Sequence, residues 1–191
     1  MPISNGAAAR TFLRSDFSRL FSRADLRFVL LVPQEKLAYY QLQFSFPSVA
    51  WDVLPSVSAT RAERAWKWAE HASVPTPTVY AMHRFYLERL HTQIPFLVRT
   101  LGFALRMFLW TLGHSAVYRA SFRFLYRMRR NASFARVLSA HAPDAVFCPM
   151  LIYGGEYALL KEAKRRGIMT LAMPASWDNL TSKTFLLVHP D

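Results

Sequence analysis

A dense polar cluster occupies residues 176–183, directly after a segment that has the composition of a buried strand. The strand segment, residues 168–173, is apolar and is closed by Pro174. In an open α/β sheet, ligands bind in the crevice beyond the carboxyl ends of the strands. The cluster therefore puts an indole, a carboxylate, an amide and an ammonium group where such a fold performs chemistry. A loop closed by Asx and Ser/Thr turns uses the same residue types, and spacing alone leaves both interpretations open.

A second turn is expected at the same edge of the sheet, near the start of the chain. Asn5 and Gly6 form the first strand-to-helix turn, where the backbone N–H groups of a helix start favour anions. Arg10 and Arg14 extend from the helix that follows. The single glycine falls short of the Gly-x-Gly-x-x-Gly pattern of dinucleotide-binding turns, so this turn is only suggestive.

A third turn follows the predicted strand that ends at Cys148. Tyr153 and Glu156 lie in it and should line the same crevice, where Glu156 would supply a second carboxylate. An acidic residue in the first turn of a helix is also favourable without any function.

The order of the predicted elements is typical of a parallel sheet with crossover helices. The pattern predicts helices at 10–24, 35–44, 61–72, 83–113, 118–131, 134–141 and 157–166, and strands at 28–32, 49–54, 144–148, 168–173 and from 185. The fold class is therefore α/β, with a Rossmann-like parallel sheet in one domain over residues 1–191 and a helical, arginine-rich insertion at 60–142. Only three residues precede the first turn, and three follow the last strand, so we expect a fragment that lacks its C-terminal partner domain.

The composition sets further bounds. Hydrophobic residues make up 52% of the chain, enough for a core and too many for a disordered protein. Cys148 is the one cysteine, and its apolar context indicates an inert buried thiol rather than a nucleophile. The Cys/His spacing does not resemble a zinc site, and we predict no metal. The start of the chain does not resemble a secretory signal, which predicts a cytoplasmic protein.

The formal net charge of +12 is concentrated in the middle of the chain. Residues 84–136 hold ten arginines and one acidic residue, Glu88. Such a segment suggests an anionic partner (a phospholipid surface, a lipid-linked phosphate, a nucleotide or nucleic acid) or else a basic face that is merely solvated. The apolar stretch at 101–113 is shorter than the about 20 residues that span a bilayer. It predicts either a core helix or an interfacial helix whose arginines meet lipid headgroups.

Two segments carry a resemblance to a known group of proteins. Residues 156–168 (EYALLKEAKRRGI) with 176–183 (SWDNLTSK), and residues 3–14 (ISNGAAARTFLR), resemble the N-terminal half of bacterial GT-B-type glycosyltransferase-like proteins. Those proteins are linked with capsule, O-antigen and other surface-carbohydrate gene clusters. The two segments lie near the ends of the chain, and the middle of the chain contains few residues that resemble a motif of this group.

The resemblance implies roles for individual residues. Glycosyl transfer needs a base near the acceptor oxygen and positive groups for the leaving diphosphate. Asp178 is the first candidate for the base, with Glu156 as the second catalytic carboxylate. Trp177 would stack on a sugar face, Asn179 would bond sugar hydroxyls, and Lys183 would meet a phosphate or carboxylate. The other predicted substrate-binding residues are Asn5, Gly6, Arg10, Arg14, Tyr153, Ser176 and Thr181.

We therefore expect the acceptor-side domain of a GT-B-like glycosyltransferase of bacterial surface polysaccharide or glycolipid synthesis, inactive without its partner half. Its expected partners are a carbohydrate or lipid-linked acceptor and an anionic surface at the inner face of the membrane, with nucleic acid less favoured. No cofactor is expected in this half, because the sugar nucleotide binds in the C-terminal half. Two alternatives stay open: a sugar-nucleotide epimerase or related transferase of the same architecture, and a non-enzymatic basic module that binds membrane or nucleic acid.

Overall fold

The computed structural model describes residues 1–55, 61–88, 95–151, 154–174 and 188–191. Its four described strands are short and form two parallel pairs. The strands are β1 Phe28–Val32, β2 Val49–Val53, β3 Ala145–Cys148 and β4 Met169–Ala172. The helices are α1 Gly6–Leu13, α2 Leu37–Gln43, α3 Arg61–Ala72, α4 Pro77–Glu88, α5 Phe96–Gly113, α6 Ala116–Met128, α7 Ala132–His141 and α8 Gly154–Arg165, with 3₁₀ helices at Asp16–Ser22 and Gln34–Lys36. The mixed α/β class is confirmed, although the described strands form two sheets of two strands rather than one continuous sheet.

The described chain divides into two compact units. One comprises Met1–Ser58, Arg130–Ala175 and Pro190–Asp191; it contains β1 to β4 and is called the sheet unit below. The other comprises Ala59–Arg129 and Ser176–His189; it contains α3 to α6 and is called the helical unit. The insertion was predicted to run to residue 142, whereas α7 lies in the sheet unit. It packs there on α8, and Arg166 donates a hydrogen bond to Ser139 at 2.8 Å.

The strand β1 is paired on both edges. Its apolar run buries Leu30, Leu31 and Val32, and β2 pairs with it in register from one end to the other. On the other edge, the Ile3 N–H donates to the Leu31 carbonyl at 2.8 Å and the Leu31 N–H donates to the Met1 carbonyl at 2.9 Å. The first residues of the chain, which we expected to be too short for a proper strand, therefore pair with β1 in parallel and lead directly into α1.

An aromatic cluster joins the two sheets in the core of the sheet unit. Phe12 of α1 packs edge-on against Phe17, with ring centroids 4.8 Å apart, and against Phe147 of β3, at 5.6 Å. Phe21 is fully buried and packs edge-on against Phe28 of β1, at 4.9 Å. The rings thus tie α1 and the 3₁₀ helix that follows it to strands of both sheets.

The single helix predicted at 10–24 is wrong in extent, because Ser15 divides it. The Ser15 hydroxyl donates to the Thr11 carbonyl and accepts a hydrogen bond from the Phe17 N–H at 3.2 Å. Local side-chain bonds of this kind compete with the backbone bonds of a helix. The chain therefore forms α1, which starts at Gly6, and then a separate 3₁₀ helix.

The predicted end of α8 is confirmed at Gly167. This residue has a φ of 70°, a left-handed conformation that glycine adopts without steric cost. The Ile168 N–H donates to the Ala163 carbonyl and the Gly167 N–H donates to the Lys164 carbonyl, both at 3.1 Å. This pair of bonds is a Schellman motif, and it turns the chain from α8 into β4.

The continuous helix predicted at 83–113 is also wrong, because prolines set different limits in the helical unit. α4 begins at Pro77 and ends at Glu88, and α5 begins directly after Pro95. Proline is favoured at the start of a helix, where its missing N–H costs nothing. Pro95 has a non-helical backbone, with a ψ of 137°, so α5 starts as a new helix after it.

The helical unit has its own core. Trp66 of α3 packs edge-on against Phe122 of α6, with ring centroids 4.4 Å apart. His83 is buried, its Nε2 lies 3.2 Å from the carbonyl of Ala72, the last residue of α3, and burial lowers its pKa. His83 therefore meets the end of α3 from a buried position.

The close approach of α5 to the end of α3 gives a test of this packing. A Cβ added at Gly113 would overlap the backbone carbonyl of Ser73, whereas one at Gly102, in the same helix, would meet no atom within 4 Å. We expect Gly113→Ala to lower the free energy of unfolding by about 2–3 kcal/mol through overpacking. Gly102→Ala should raise it by about 0.5–1 kcal/mol, since glycine is unfavourable inside a helix. Chemical denaturation followed by circular dichroism measures both, and equal effects of the two substitutions would contradict the close approach.

Candidate functional site

Two of the three predicted turns meet within the sheet unit. The Ser4 hydroxyl donates to Oε1 of Glu156 at 3.0 Å, and Nδ2 of Asn5 donates to Sδ of Met150 at 3.4 Å. The first turn leads from the segment paired with β1 into α1, and the second leads from β3 to α8. Both turns follow the carboxyl ends of parallel strands, where the strand-end rule expects a ligand.

Asn5 holds the start of α1. It is the N-cap residue, its Oδ1 accepts a hydrogen bond from the Ala8 N–H at 2.9 Å, and its Nδ2 is used in the bond to Met150. Gly6 begins the helix, and a Cβ at this position would meet no atom within 4 Å. There is thus open space beside the first turn of α1, whose N–H groups and helix dipole favour an anion.

Glu156 is 1% exposed and lies in the first turn of α8. The dipole at the start of a helix stabilises a negative charge there, and the Ser4 hydroxyl adds a hydrogen bond. In this position the carboxylate links the two turns. A role of Glu156 in proton transfer stays a prediction.

The buried thiol of Cys148 lies beside this carboxylate residue. Cys148 is fully buried, and its Sγ donates to the Glu156 carbonyl at 3.8 Å. Burial raises the pKa of the thiol, and the negative charge of Glu156 raises it further. A thiol of this kind is protonated and unreactive at neutral pH, as the sequence predicted.

The two arginines predicted for this site lie further along α1. Arg10 is in its last turn and Arg14 is its C-cap residue; both are exposed. The helix has eight residues, which corresponds to about 12 Å at 1.5 Å per residue. The guanidinium of Arg14 lies 6.0 Å from the ring centroid of Phe44. The structure therefore places Arg14 at the opposite end of α1 from the linked turns.

The strand that precedes the third predicted turn, β4, ends at the same edge as β3. β3 and β4 are parallel, and the Met173 N–H donates to the Cys148 carbonyl at 2.9 Å. The Leu151 N–H then donates to the Met173 carbonyl at 3.0 Å. The predicted residues of the polar loops themselves lie outside the described residues: Tyr153, Ser176, Trp177, Asp178, Asn179, Thr181 and Lys183.

Sequence reasoning missed Ser4 and Met150 as members of this site. Both lie in turns that were predicted to converge, but neither was assigned a contact. The available signal was position: Ser4 directly follows the buried Ile3, and Met150 comes two residues after the end of β3. Which side chains would pair across the two turns was not visible in the sequence.

A cavity of the sheet unit lies elsewhere. It measures about 1000 Å³ and is lined by the first residues of three strands, Phe28, Val49 and Ala145, together with His141. Nε2 of His141 lies 2.7 Å from Oδ2 of Asp52, and this hydrogen bond lowers the pKa of Asp52. Much of the lining is apolar. We place the candidate site by the strand-end rule rather than by cavity size, because the convergent polar turns lie at the carboxyl ends of the strands.

Among the described residues, no group of three or more His, Cys, Asp and Glu side chains is placed to hold a metal ion.

No protein-family model, curated protein or solved structure matches this chain. The assignment of the site therefore rests on the residues and on their geometry, and the resemblance to glycosyltransferase-like proteins stays a prediction.

The bond between Ser4 and Glu156 can be tested by a double-mutant cycle. Ser4→Ala should lower the free energy of unfolding by about 1.5–3 kcal/mol, because it removes a hydrogen bond to a buried charged group. Combined with Glu156→Gln, the two effects should be non-additive by at least about 0.5 kcal/mol. Urea denaturation measures all three variants.

The control for this cycle is Thr100→Ala, which removes an exposed hydroxyl that donates to the Phe96 carbonyl of its own helix. It should change stability by less than about 0.5 kcal/mol and be additive with Glu156→Gln. Additivity of Ser4→Ala with Glu156→Gln would show that the two side chains do not interact.

Proposed function

We propose that this chain is the acceptor-side domain of a GT-B-like glycosyltransferase that acts in bacterial surface polysaccharide or glycolipid synthesis. The observation that supports the proposal is the link between the turns at Ser4 and Glu156, where parallel strands end. The polar cluster of residues 176–183 follows β4 in the sequence.

The proposed chemistry divides between the turns. Asp178 takes the proton from the acceptor hydroxyl as general base, and Trp177 stacks on the acceptor sugar. Asn179 and Thr181 bond sugar hydroxyls, and Lys183 meets an anionic group of the acceptor. Glu156 holds the first turn and the α8 turn together. The donor sugar nucleotide would bind in a separate C-terminal half, and the enzyme would work in the cytoplasm at the inner face of the membrane.

The main alternative is a sugar-nucleotide epimerase or related transferase, which would bind the nucleotide itself. A binding screen with the purified 191-residue chain separates the two. Polyprenyl-diphosphate-linked saccharides and sugar nucleotides are titrated in separate arms by calorimetry. An acceptor-side domain should bind the lipid-linked saccharide saturably. Binding and turnover of a sugar nucleotide by this chain alone would contradict the proposal and favour the epimerase.

The same screen tests Trp177. Trp177→Ala should weaken saccharide binding about two- to tenfold, because an aromatic stacking contact contributes about 0.5–1.5 kcal/mol. The matched control is Tyr39→Ala, which removes an aromatic ring of the sheet unit that is 52% exposed. An unchanged dissociation constant for Trp177→Ala would remove this residue from the site.

The proposed base is tested by kinetics of the full-length enzyme. Asp178→Asn keeps the shape of the side chain but removes the proton acceptor, and should lower kcat about 10²–10⁴-fold. Lys183→Ala should cost less, since Lys183 is proposed only to bind. A loss below about tenfold with unchanged folding, which is about 1.4 kcal/mol of barrier, would return Asp178 to the role of capping its turn.

A further inference from the structure

The outer face of α5 is apolar and exposed. Leu97, Leu101, Leu105 and Phe108 are 69%, 62%, 49% and 60% exposed, and their spacing places them on one side of the helix. We call these four side chains the apolar stripe. Gly113 is the one buried residue of this helix. Since soluble proteins rarely expose a contiguous row of large apolar side chains, the stripe marks an interaction surface.

The next helix, α6, carries a second exposed apolar set. Val117, Phe124, Leu125 and Met128 each have more than half of their surface exposed. They recur at i, i+7, i+8 and i+11, which again corresponds to one side of a helix. Two consecutive helices of the helical unit therefore each leave an apolar side without cover from the described residues.

The inner face of α5 shows how the helix is oriented. The guanidinium of Arg106 lies 4.8 Å from the ring centroid of Tyr86 and 5.5 Å from that of Trp68, and Nε1 of Trp110 donates to the Thr76 carbonyl at 3.3 Å. The interfacial alternative placed the arginines of this stretch at lipid headgroups, whereas Arg106 packs within the helical unit. These contacts anchor one side of α5 to its neighbours.

A helix that lies flat is therefore favoured over one that crosses a membrane. Among the described residues, α5 is the one helix that is long and apolar enough to span, judged by length and composition. It has 18 residues, at the lower limit for a span, and a crossing would break the contacts of Arg106 with Tyr86 and Trp68. In a flat orientation the stripe enters the lipid and the inner face keeps its contacts.

The charge of this region indicates which partner covers the stripe. From Phe96 to Met128 the sequence has five arginines and no acidic residue. Arg127 is exposed and follows Phe124 by three residues, so positive charge borders the apolar side of α6. Burial and the neighbouring charges of Arg119 and Arg127 lower the pKa of Arg123, which shows how closely the arginines are set. A second copy of this chain would bring the same positive charge against it.

We propose that the exposed apolar sides of α5 and α6 form a docking surface that lays the helical unit on a bilayer rich in anionic phospholipid. The acyl region would take the apolar stripe, and the lipid phosphates would pair with Arg127, the exposed arginine that borders the apolar side of α6. This inference does not rest on the proposed sugar transfer, because pure lipid vesicles contain no saccharide. A failure of one proposal is therefore distinguishable from a failure of the other.

Flotation with lipid vesicles tests the docking surface on the full 191-residue chain. Vesicles of phosphatidylcholine are compared with an equimolar mixture of phosphatidylcholine and phosphatidylglycerol. The chain should partition at least about tenfold better onto the anionic vesicles, and added salt should weaken the binding. The double substitution Leu101→Ser with Leu105→Ser should reduce partitioning at least about tenfold, and Arg127→Gln should reduce it about fivefold.

The matched control is Leu42→Ser, which removes a leucine that is 89% exposed in the sheet unit and should leave partitioning unchanged. Circular dichroism and the Tm confirm that each variant is folded. Equal partitioning of the stripe variant and the Leu42→Ser variant would overturn the proposal. So would a dimer in sedimentation velocity that the stripe substitutions dissociate, in a chain that does not float with either vesicle, since the surface would then be an interface between two copies.

Discussion

Parallel strand pairing is the constraint on which the arrangement of the sheet unit depends. Two parallel strands cannot be joined by a tight hairpin, so the chain must cross back over the sheet after each strand. α8 provides this connection between β3 and β4, and α1 with its 3₁₀ helix provides it between the first residues and β1. Within each sheet, the same constraint brings the carboxyl ends of the paired strands to one edge. Ser4 follows the segment paired with β1 and Glu156 follows β3; they are 152 residues apart in sequence, and their hydrogen bond links the turns of the two sheets.

The sequence predicted the elements that are set by strong local signals. The apolar run of β1 and the limits of α3, from Arg61 to Ala72, agree with the structure. The predicted helix limits were wrong where a single residue ends or starts a helix within a periodic apolar pattern. Ser15 divides one predicted helix, and Pro77 starts another earlier than predicted. Convergence of the first turn and the α8 turn was predictable from the strand-end rule. The bond between Ser4 and Glu156 was not, because pairing across such a distance depends on tertiary geometry that no local pattern records.

The helical unit shows why hydropathy alone could not orient α5. The helix is apolar over most of its circumference, so its sequence is equally compatible with a core helix and with an interfacial one. The position of Arg106 shows which side of α5 faces the rest of the helical unit. Arg106 is stabilised by the faces of two aromatic rings, and this contact turns leucines to the outside. A charged residue thus marks the protein-facing side of this helix.

Because Cys148 is buried, the reactivity of its thiol reports local opening of the surrounding structure. A protonated thiol without solvent access reacts with alkylating reagents only after the surrounding structure has opened. Because the chain contains a single cysteine and it lies in the sheet unit, labelling monitors that unit and is silent about the helical one. Opening of the sheet unit can therefore be measured by pulse alkylation with mass spectrometry. Circular dichroism of the same unmodified protein measures the unfolding of both units together.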